Sequence, residues 1–422
     1  MIIIIVEPMS SGVALVEAAR QMGETVFIFV QDEQQISAVC RHLASAVVVV
    51  DTNDVQAIVC AARRIEENAQ SADDKIRAIL PGFEYVVDVV ARSAVQLGLP
   101  HLSVQAAALT RNKFASRERL KAKGLDVPRY ALISDLAELE RVASEVGFPA
   151  VIKPVDGCGS LLVRRVDSLA QLRSVLVDPI NTGFLDMGKQ IGSQLLLEEF
   201  LVGREFSIEG YIDQDQPHVV AVTEKQLGPE PFFVEMGHVV PALLQSNEQQ
   251  VLVTYIEEVA RAIGLDLGVF HAEARITERG PILIEIAARL GGDCIYRLVE
   301  LTHGLSLPKT MIRSYCAMLE PALIDPLYQR RGVAGIRFLS FDGSGRFGAA
   351  SGLDQVRAMD GCEDVDLYFQ AGDDIPELTD FRGRIGHILF WADDRSLLDA
   401  RLIQAESNIE LLQAKKSIKC EL

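Results

Sequence analysis

Between Met1 and about Leu102, short β-branched apolar runs (Ile2–Val6, Val26–Val30, Val47–Val50, Ile76–Leu80) alternate with segments of helix length such as Val13–Met22 and Tyr85–Leu97. That alternation predicts an α/β unit, a parallel sheet with crossover helices. Pro81-Gly82 and Gly98-Leu99-Pro100 punctuate its elements. The first run reads as a buried strand. Glu7 and Pro8 stop it far short of the ~20 apolar residues of a membrane span, and it lacks the basic flank of a signal peptide.

Further along, Phe114–Gly124 and Leu136–Gly147 read as helices, each ended by a glycine where a left-handed residue is tolerated. After Pro149 strands dominate: Ala150–Lys153, Leu161–Val166, Gln194–Glu199, Glu205–Ile212, Val219–Thr223, Gly268–Thr277 and Pro281–Ala287, with one helix, Gln250–Gly264, among them. A last set starts near Gly332 with Gly335–Phe341 and the turn Asp342-Gly343-Ser344-Gly345, and ends in a helix from Arg395 to about Leu412.

Composition narrows the class. A chain of 422 residues has room for two to four domains, and 49% hydrophobic with 24% charged residues is a folded globular composition. Lys plus Arg is 41 against 59 Asp plus Glu, a formal charge of −18 that opposes binding to nucleic acid or to anionic membrane. The cysteines (40, 60, 158, 294, 316, 362, 420) form no C-x-x-C pair and no zinc spacing, which fits a reduced, cytoplasmic compartment. The Ile2–Val6 sheet leaves a homodimer open.

Three constellations carry chemistry. In the first, an apolar strand ends in Lys153-Pro154 and runs into Asp156-Gly157-Cys158-Gly159-Ser160. A point charge beside close-approaching backbone N–H groups suits phosphate oxygens, although a plain strand-to-turn junction gives the same letters. In the second, Glu198-Glu199-Phe200-Leu201 leads through Gly203 to Glu205. Its extended backbone can pair with a purine edge and its carboxylates with amine or ribose donors; solvated surface glutamates are the bland alternative.

The third is the most specific. His271, Glu273 and Arg275 share one face of a strand, and Glu285, Ala287 and Arg289 one face of the next. A hairpin symmetric about Arg279 pairs Glu273 with Glu285. Two carboxylates that close repel unless a cation lies between them. Either a divalent ion does this, with hard oxygen ligands implying Mg²⁺ or Mn²⁺, or Arg275 or Arg289 neutralises the pair structurally. In the metal case, Gln at either position leaves the ligand-free fold unharmed. His271 reads as a packed residue and Cys158 as a small loop residue.

In this order the three pieces resemble the ATP-grasp superfamily, in particular its carboxylate–amine ligases of the L-amino-acid (dipeptide) type. Gly82-Phe83-Glu84, Leu97–Pro100 and Arg111-Asn112-Lys113 before them, and Gly335–Phe341, Gly372-Asp373 and Arg384-Ile385-Gly386-His387 after them, extend the likeness over nearly the whole chain. The resemblance implies an α/β and α+β protein. A Rossmann-like pre-ATP-grasp domain would span 1–105, an ATP-grasp domain 106–318 (lid 115–192, metal and substrate part 193–318), and an α+β C-terminal domain 319–422.

The same resemblance assigns roles. Lys113, Lys153 and the lid Gly157, Gly159 and Ser160 would hold the ATP phosphates. Glu198 would accept from the adenine amine, Phe200 and Leu201 would form the hinge beside the ring, and Glu205 would bind ribose. Glu273 and Glu285 would bind Mg²⁺. Arg289 with Gly291 and Gly292 would hold the carboxylate being phosphorylated, so Arg289 and Lys153 carry the catalytic roles. Ala287 stands where the family often has asparagine, which removes a third protein ligand to a second metal. The implied activity is ADP-forming ligation of a carboxylate to an amino-acid amine through an acyl phosphate; a carboxylating or purine-pathway ATP-grasp ligase, or a decayed nucleotide-binding module, is the alternative. Glu84, Lys225, Met236 and His238 are the specificity candidates, from the Glu84 segment and a loop over Lys225–Val240 expected to face small-molecule substrates.

Overall fold

A computed structural model describes residues 1–68, 75–177, 184–191, 194–318, 331–341 and 343–414. Asp342 of the expected turn, Cys420 and the expected boundary at 319 lie outside the described residues. The first strands form a parallel sheet in the order Ala46–Val49, Thr25–Val30, Ile2–Val6, Ile76–Pro81. Ile3 and Ile5 pack into one core with Leu15 and Val16, while Ile4 and Val6 pack into another with Val89 and Val90. Because both faces are covered, the strand reads as an unbroken apolar run rather than an alternation. Both its edges are hydrogen-bonded too, so this strand offers no surface to a second copy.

A second, antiparallel sheet runs Tyr130–Ile133, Leu195–Glu199, Ala150–Pro154, Arg164–Val166, and the helices Leu139–Val146 and Leu169–Val177 pack on it. The strand expected over Leu161–Val166 is shorter, since Ser160 and Leu162 both have φ of 59°, which an extended strand forbids.

Eight antiparallel strands make the third sheet, in the order Gly280–Ala287, Val269–Thr277, Arg204–Asp213, Gln216–Leu227, Glu235–Val240, Val333–Ser340, Arg384–Ala392, Cys362–Leu367. Helix Ser246–Ile263 lies in the core on one face, and Ile295–His303 and Leu307–Tyr315 in the core on the other. Lys225–Val240 is therefore not the loop expected from sequence. It is the end of one strand and the whole of the next, joined through 228–234, where Gly228, Pro229 and Pro231 interrupt the pairing. The C-terminal helix also ends earlier than expected, at Asn408. Glu410–Gln413 pairs with Gly345–Ser351 as an edge strand instead. Among the described residues no helix is long and apolar enough to cross a membrane.

At the N-terminus of helix Gly12–Gln21 a side chain at Gly12 would place its Cβ 2.0 Å from the Gly82 carbonyl oxygen. Glycine lets this helix end press against the end of strand Ile76–Pro81. Ser10, Ser11, Gly82 and Phe83 thereby form one wall of a large cavity whose other walls come from the second and third sheets.

Candidate active site

Lys153 and Glu198 stand on adjacent antiparallel strands, and Lys153 Nζ lies 2.5 Å from Glu198 Oε2. Arg117, fully buried on helix Lys113–Ala122, donates from Nε to Glu198 Oε1 at 2.7 Å. Burial pushes the Lys153 ammonium below its ordinary value despite Glu198, and Arg117 adds to the shift. Burial acts to raise Glu198, yet Arg117 and Lys153 together hold it below the usual carboxylate range. Glu198, expected to accept from an adenine amine, thus already has both oxygens engaged. Phe200 lies between two guanidinium groups, Arg165 at 4.5 Å and Arg275 at 5.0 Å from its ring centre. The Leu201 carbonyl accepts from Arg275.

On the third sheet the polarity reverses. Lys225 Nζ contacts Glu273 at 2.6 Å, Glu205 at 2.8 Å and Glu235 at 3.4 Å, from three different strands. Burial alone would lower this lysine; the three carboxylates raise it well above its ordinary value. Glu205, expected at a ribose, also binds Arg275 Nε at 2.9 Å.

Glu273 does face Glu285 across the hairpin. The turn itself pairs Thr277 with Gly280, a register that would miss this pairing by one, and a bulge between Glu273 and Ala274 restores it. Neither arginine of the structural alternative makes a salt bridge with the pair: Arg275 binds Glu205 and Arg289 binds Glu84, although Arg289 is close enough to Glu285 to feel its charge. Two lysines make those bridges instead, Lys225 on Glu273 and Lys113 on Glu285 at 3.0 Å. With these lysine partners, Gln at either position is expected to cost the ligand-free fold some stability rather than leave it unharmed.

Two hard carboxylate donors on neighbouring strands, with no thiolate beside them, fit Mg²⁺ completed by phosphate and water oxygens. No group of three or more candidate metal-binding side chains occurs among the described residues. His271 is unsuited as a ligand. Burial disfavours its charged form, but Glu209 Oε1 at 2.5 Å and Glu273 bring it up to about 10.

Toward the other end of the cavity Arg289 Nε sits 2.5 Å from Glu84 Oε2, and Arg111 binds the other oxygen at 2.6 Å. Burial would raise Glu84, yet Arg289 and Arg111 lower it to about 2. Gly292 has nothing within 4 Å of where a Cβ would stand, so it opens onto space, whereas Gly291 presses against Glu209 and His271. His238 is 2% exposed, with Nε2 3.0 Å from Asp293 Oδ2; its Nδ1 has no hydrogen-bond partner. Arg384 grips both oxygens of Asp293 at 2.7 Å.

Lys113, Lys153, Gly157, Gly159, Ser160, Glu198, Phe200, Leu201, Glu205, Glu273, Glu285, Arg289, Gly292 and His238 all line this one cavity; Glu84 and Gly291 lie behind it. Met236, also named from sequence, is absent from its lining. Glu235, Arg275, Asp293, Phe381 and Arg384 were not anticipated. The alternation Glu235-Met236-Gly237-His238 was the available signal for the first, hidden by the assignment of that stretch to a loop.

The stretch 157–166, which roofs the cavity, is fastened to the 228–234 connection of the third sheet. Ser160 Oγ donates to the Phe233 carbonyl at 3.0 Å, Arg165 N donates to the Pro231 carbonyl at 3.0 Å, and the Arg165 side chain meets Glu230 at 2.5 Å. Arg164 stacks on Phe232 at 5.0 Å.

Residues 146–297 match the ATP-grasp domain family, and residues 337–412 match the L-amino acid ligase C-terminal domain 2 family. Among similar curated proteins, dapdiamide A synthase of Enterobacter agglomerans is 25% identical over 94% of this chain and 93% of its own length. The uncharacterized protein y4rH of Sinorhizobium fredii is 29% identical over 97% of this chain and 82% of its own length. The solved L-amino acid ligase from Bacillus licheniformis superposes with a TM-score of 0.83 at 23% identity, covering 98% of this chain and 99% of that one.

Proposed function

We propose that this chain, whose residues 146–297 match the ATP-grasp domain family and 337–412 the L-amino acid ligase C-terminal domain 2 family, joins a carboxylate to an amino-acid amine at the cost of one ATP, releasing ADP and phosphate. The observation that carries this reading is the register of Glu273 opposite Glu285 in the cavity that also holds Lys153 and Arg289. That arrangement would offer a cation site, phosphate-binding charge and a carboxylate-binding charge within one cavity.

Lys153 and Lys113 hold the phosphates, with the backbone of Gly157–Ser160 over them. Arg289, itself positioned by Glu84, directs the donor carboxylate at the γ-phosphate, which is the positioning and charge stabilisation that phosphoryl transfer needs from a protein. A divalent ion held by Glu273 and Glu285 would neutralise phosphate charge when bound. The roof excludes water, so that the acyl phosphate meets an amine rather than hydrolysis.

Labelled ATP incubated with an amino-acid mixture tests the reading. ADP and phosphate formed in proportion to a new amide are expected; AMP and pyrophosphate would reject it.

A further inference from the structure

We infer that His238 is the proton acceptor for the attacking amine, an assignment that rests on the ligase reading above. His238 lines the same cavity as Arg289 and Gly292, is 2% exposed, and has Nδ1 without a hydrogen-bond partner while Nε2 lies 3.0 Å from Asp293. A carboxylate only accepts hydrogen bonds, so Nε2 carries a proton toward Asp293, and in the neutral imidazole the lone pair is then the one on Nδ1. A buried polar atom left unpaired is rare in a folded protein and calls for a partner that arrives with a ligand.

The other imidazole in the cavity does not have this freedom. His271 is held between Glu209 at 2.5 Å and Glu273 at 3.4 Å, so both its nitrogens are engaged. Glu205, Glu273 and Glu235 are gathered on Lys225, and Glu285 on Lys113. His238 also stands beside the expected acyl site in the chain: its partner Asp293 follows Gly292, which opens onto free space in the cavity that Arg289 also lines.

An ammonium becoming an amide N–H gives up two protons. His238 Nδ1 takes the first, which frees the nitrogen lone pair. That pair attacks the acyl carbon, the C–N bond forms, and the C–O bond to phosphate breaks with its electrons leaving on phosphate, which takes the second proton. The imidazolium then returns its proton to solvent. Asp293, gripped by Arg384 at 2.7 Å on both oxygens, is the positioning residue that holds the ring and offsets its transient charge.

The test compares two nucleophiles in the full chain with Mg–ATP and an amino-acid donor: an amino acid, which arrives as ammonium, and hydroxylamine, which is neutral near neutral pH and needs no base. For H238Q, amide formation should fall about 100-fold or more while hydroxamate formation stays near wild type. D293N should show the same split, smaller in size. Equal losses with both nucleophiles, or no loss with the amino acid, overturn the assignment. Absence of hydroxamate in the wild-type protein would instead remove the acyl-phosphate reading. Thermal unfolding establishes that each variant is folded; should H238Q not fold, H238N and D293N decide by the same split.

Discussion

Lys153 and Lys225 are both buried lysines in one cavity, yet they sit in opposite fields. On the second sheet Lys153 shares a single carboxylate, Glu198, with Arg117, so cations outnumber the anion. On the third sheet a single lysine holds three carboxylates. Around Lys153 the cations outnumber the carboxylate, whereas around Lys225 the carboxylates outnumber the lysine, with Arg275 also on Glu205 and His271 also on Glu273. On the proposed reading, a polyphosphate with a divalent cation would supply both deficits at once, the anion toward Lys153 and the cation toward Glu273 and Glu285. The difference teaches that the site is divided by sheet: each wall lacks what its own ligand brings.

Four predictions break or sharpen this contrast. The largest effect is expected on the acidic wall, where E273Q and E285Q should each lower turnover by about three orders of magnitude in a coupled ADP-release assay. The two should differ in the ligand-free protein. E273Q takes a partner from both Lys225 and His271 and should cost about 2 kcal/mol in denaturant unfolding; E285Q leaves Lys113 bonded to the Gly157 carbonyl at 2.6 Å and should cost less. Equal stability of the two would break the asymmetry.

Next comes the basic wall. E198Q leaves Lys153 and Arg117 buried together without a counter-charge and should destabilise the fold by about 3 kcal/mol or more, partly restored by ATP without metal. A folded E198Q that ATP does not stabilise would show that this surplus does not serve phosphate.

Glu84 gives the third. Its folded value of about 2 lies below the ordinary 4.5, so its contribution is fully present above pH 4.5 and is lost as pH falls toward 2. That contribution is at most about 3 kcal/mol. Acid unfolding of wild type and E84Q should converge below pH 2 and separate above pH 4.5.

The smallest effect is the sharpest discriminator. K225M leaves Glu205, Glu235 and Glu273 facing one another, so Mg²⁺ alone should raise its unfolding temperature by a few degrees, about 1 kcal/mol, and leave wild type unchanged.

Much of the frame was legible because it is local. The Ile2–Val6 run, the Lys153 strand end and the Glu273/Glu285 faces each follow from spacing within a few residues. Even so, the hairpin reasoning reached the right pair through the wrong turn: it assumed symmetry about Arg279, and the Glu273–Ala274 bulge, which no residue type announced, made up the difference. What stayed hidden is long-range. Lys225 reaches Glu273 from two strands away, and Arg384 reaches Asp293 across 91 residues of sequence. Pattern reading offered Arg275 and Arg289 as the alternative to a metal because they share a face with the glutamates, but a strand two places away and a helix bring lysines closer.

The fastening of the roof has a consequence for timing. Its contacts to 230–233 are partly exposed: Arg165 is 25% and Glu230 52% exposed in their side chains. Such ion pairs and cation–π contacts contribute about 0.5–1 kcal/mol each, so three or four sum to about 3 kcal/mol. Were these contacts all that holds the roof closed, a gap of that size would leave the empty cavity open somewhat under about one moment in a hundred, enough to admit a nucleotide without any trigger. The same weak fasteners, added to whatever the nucleotide itself contributes, are what ADP must wait for before it departs. Replacing Arg164 or Phe232, which take no part in the bond being made, is therefore expected to shorten the residence of the spent nucleotide.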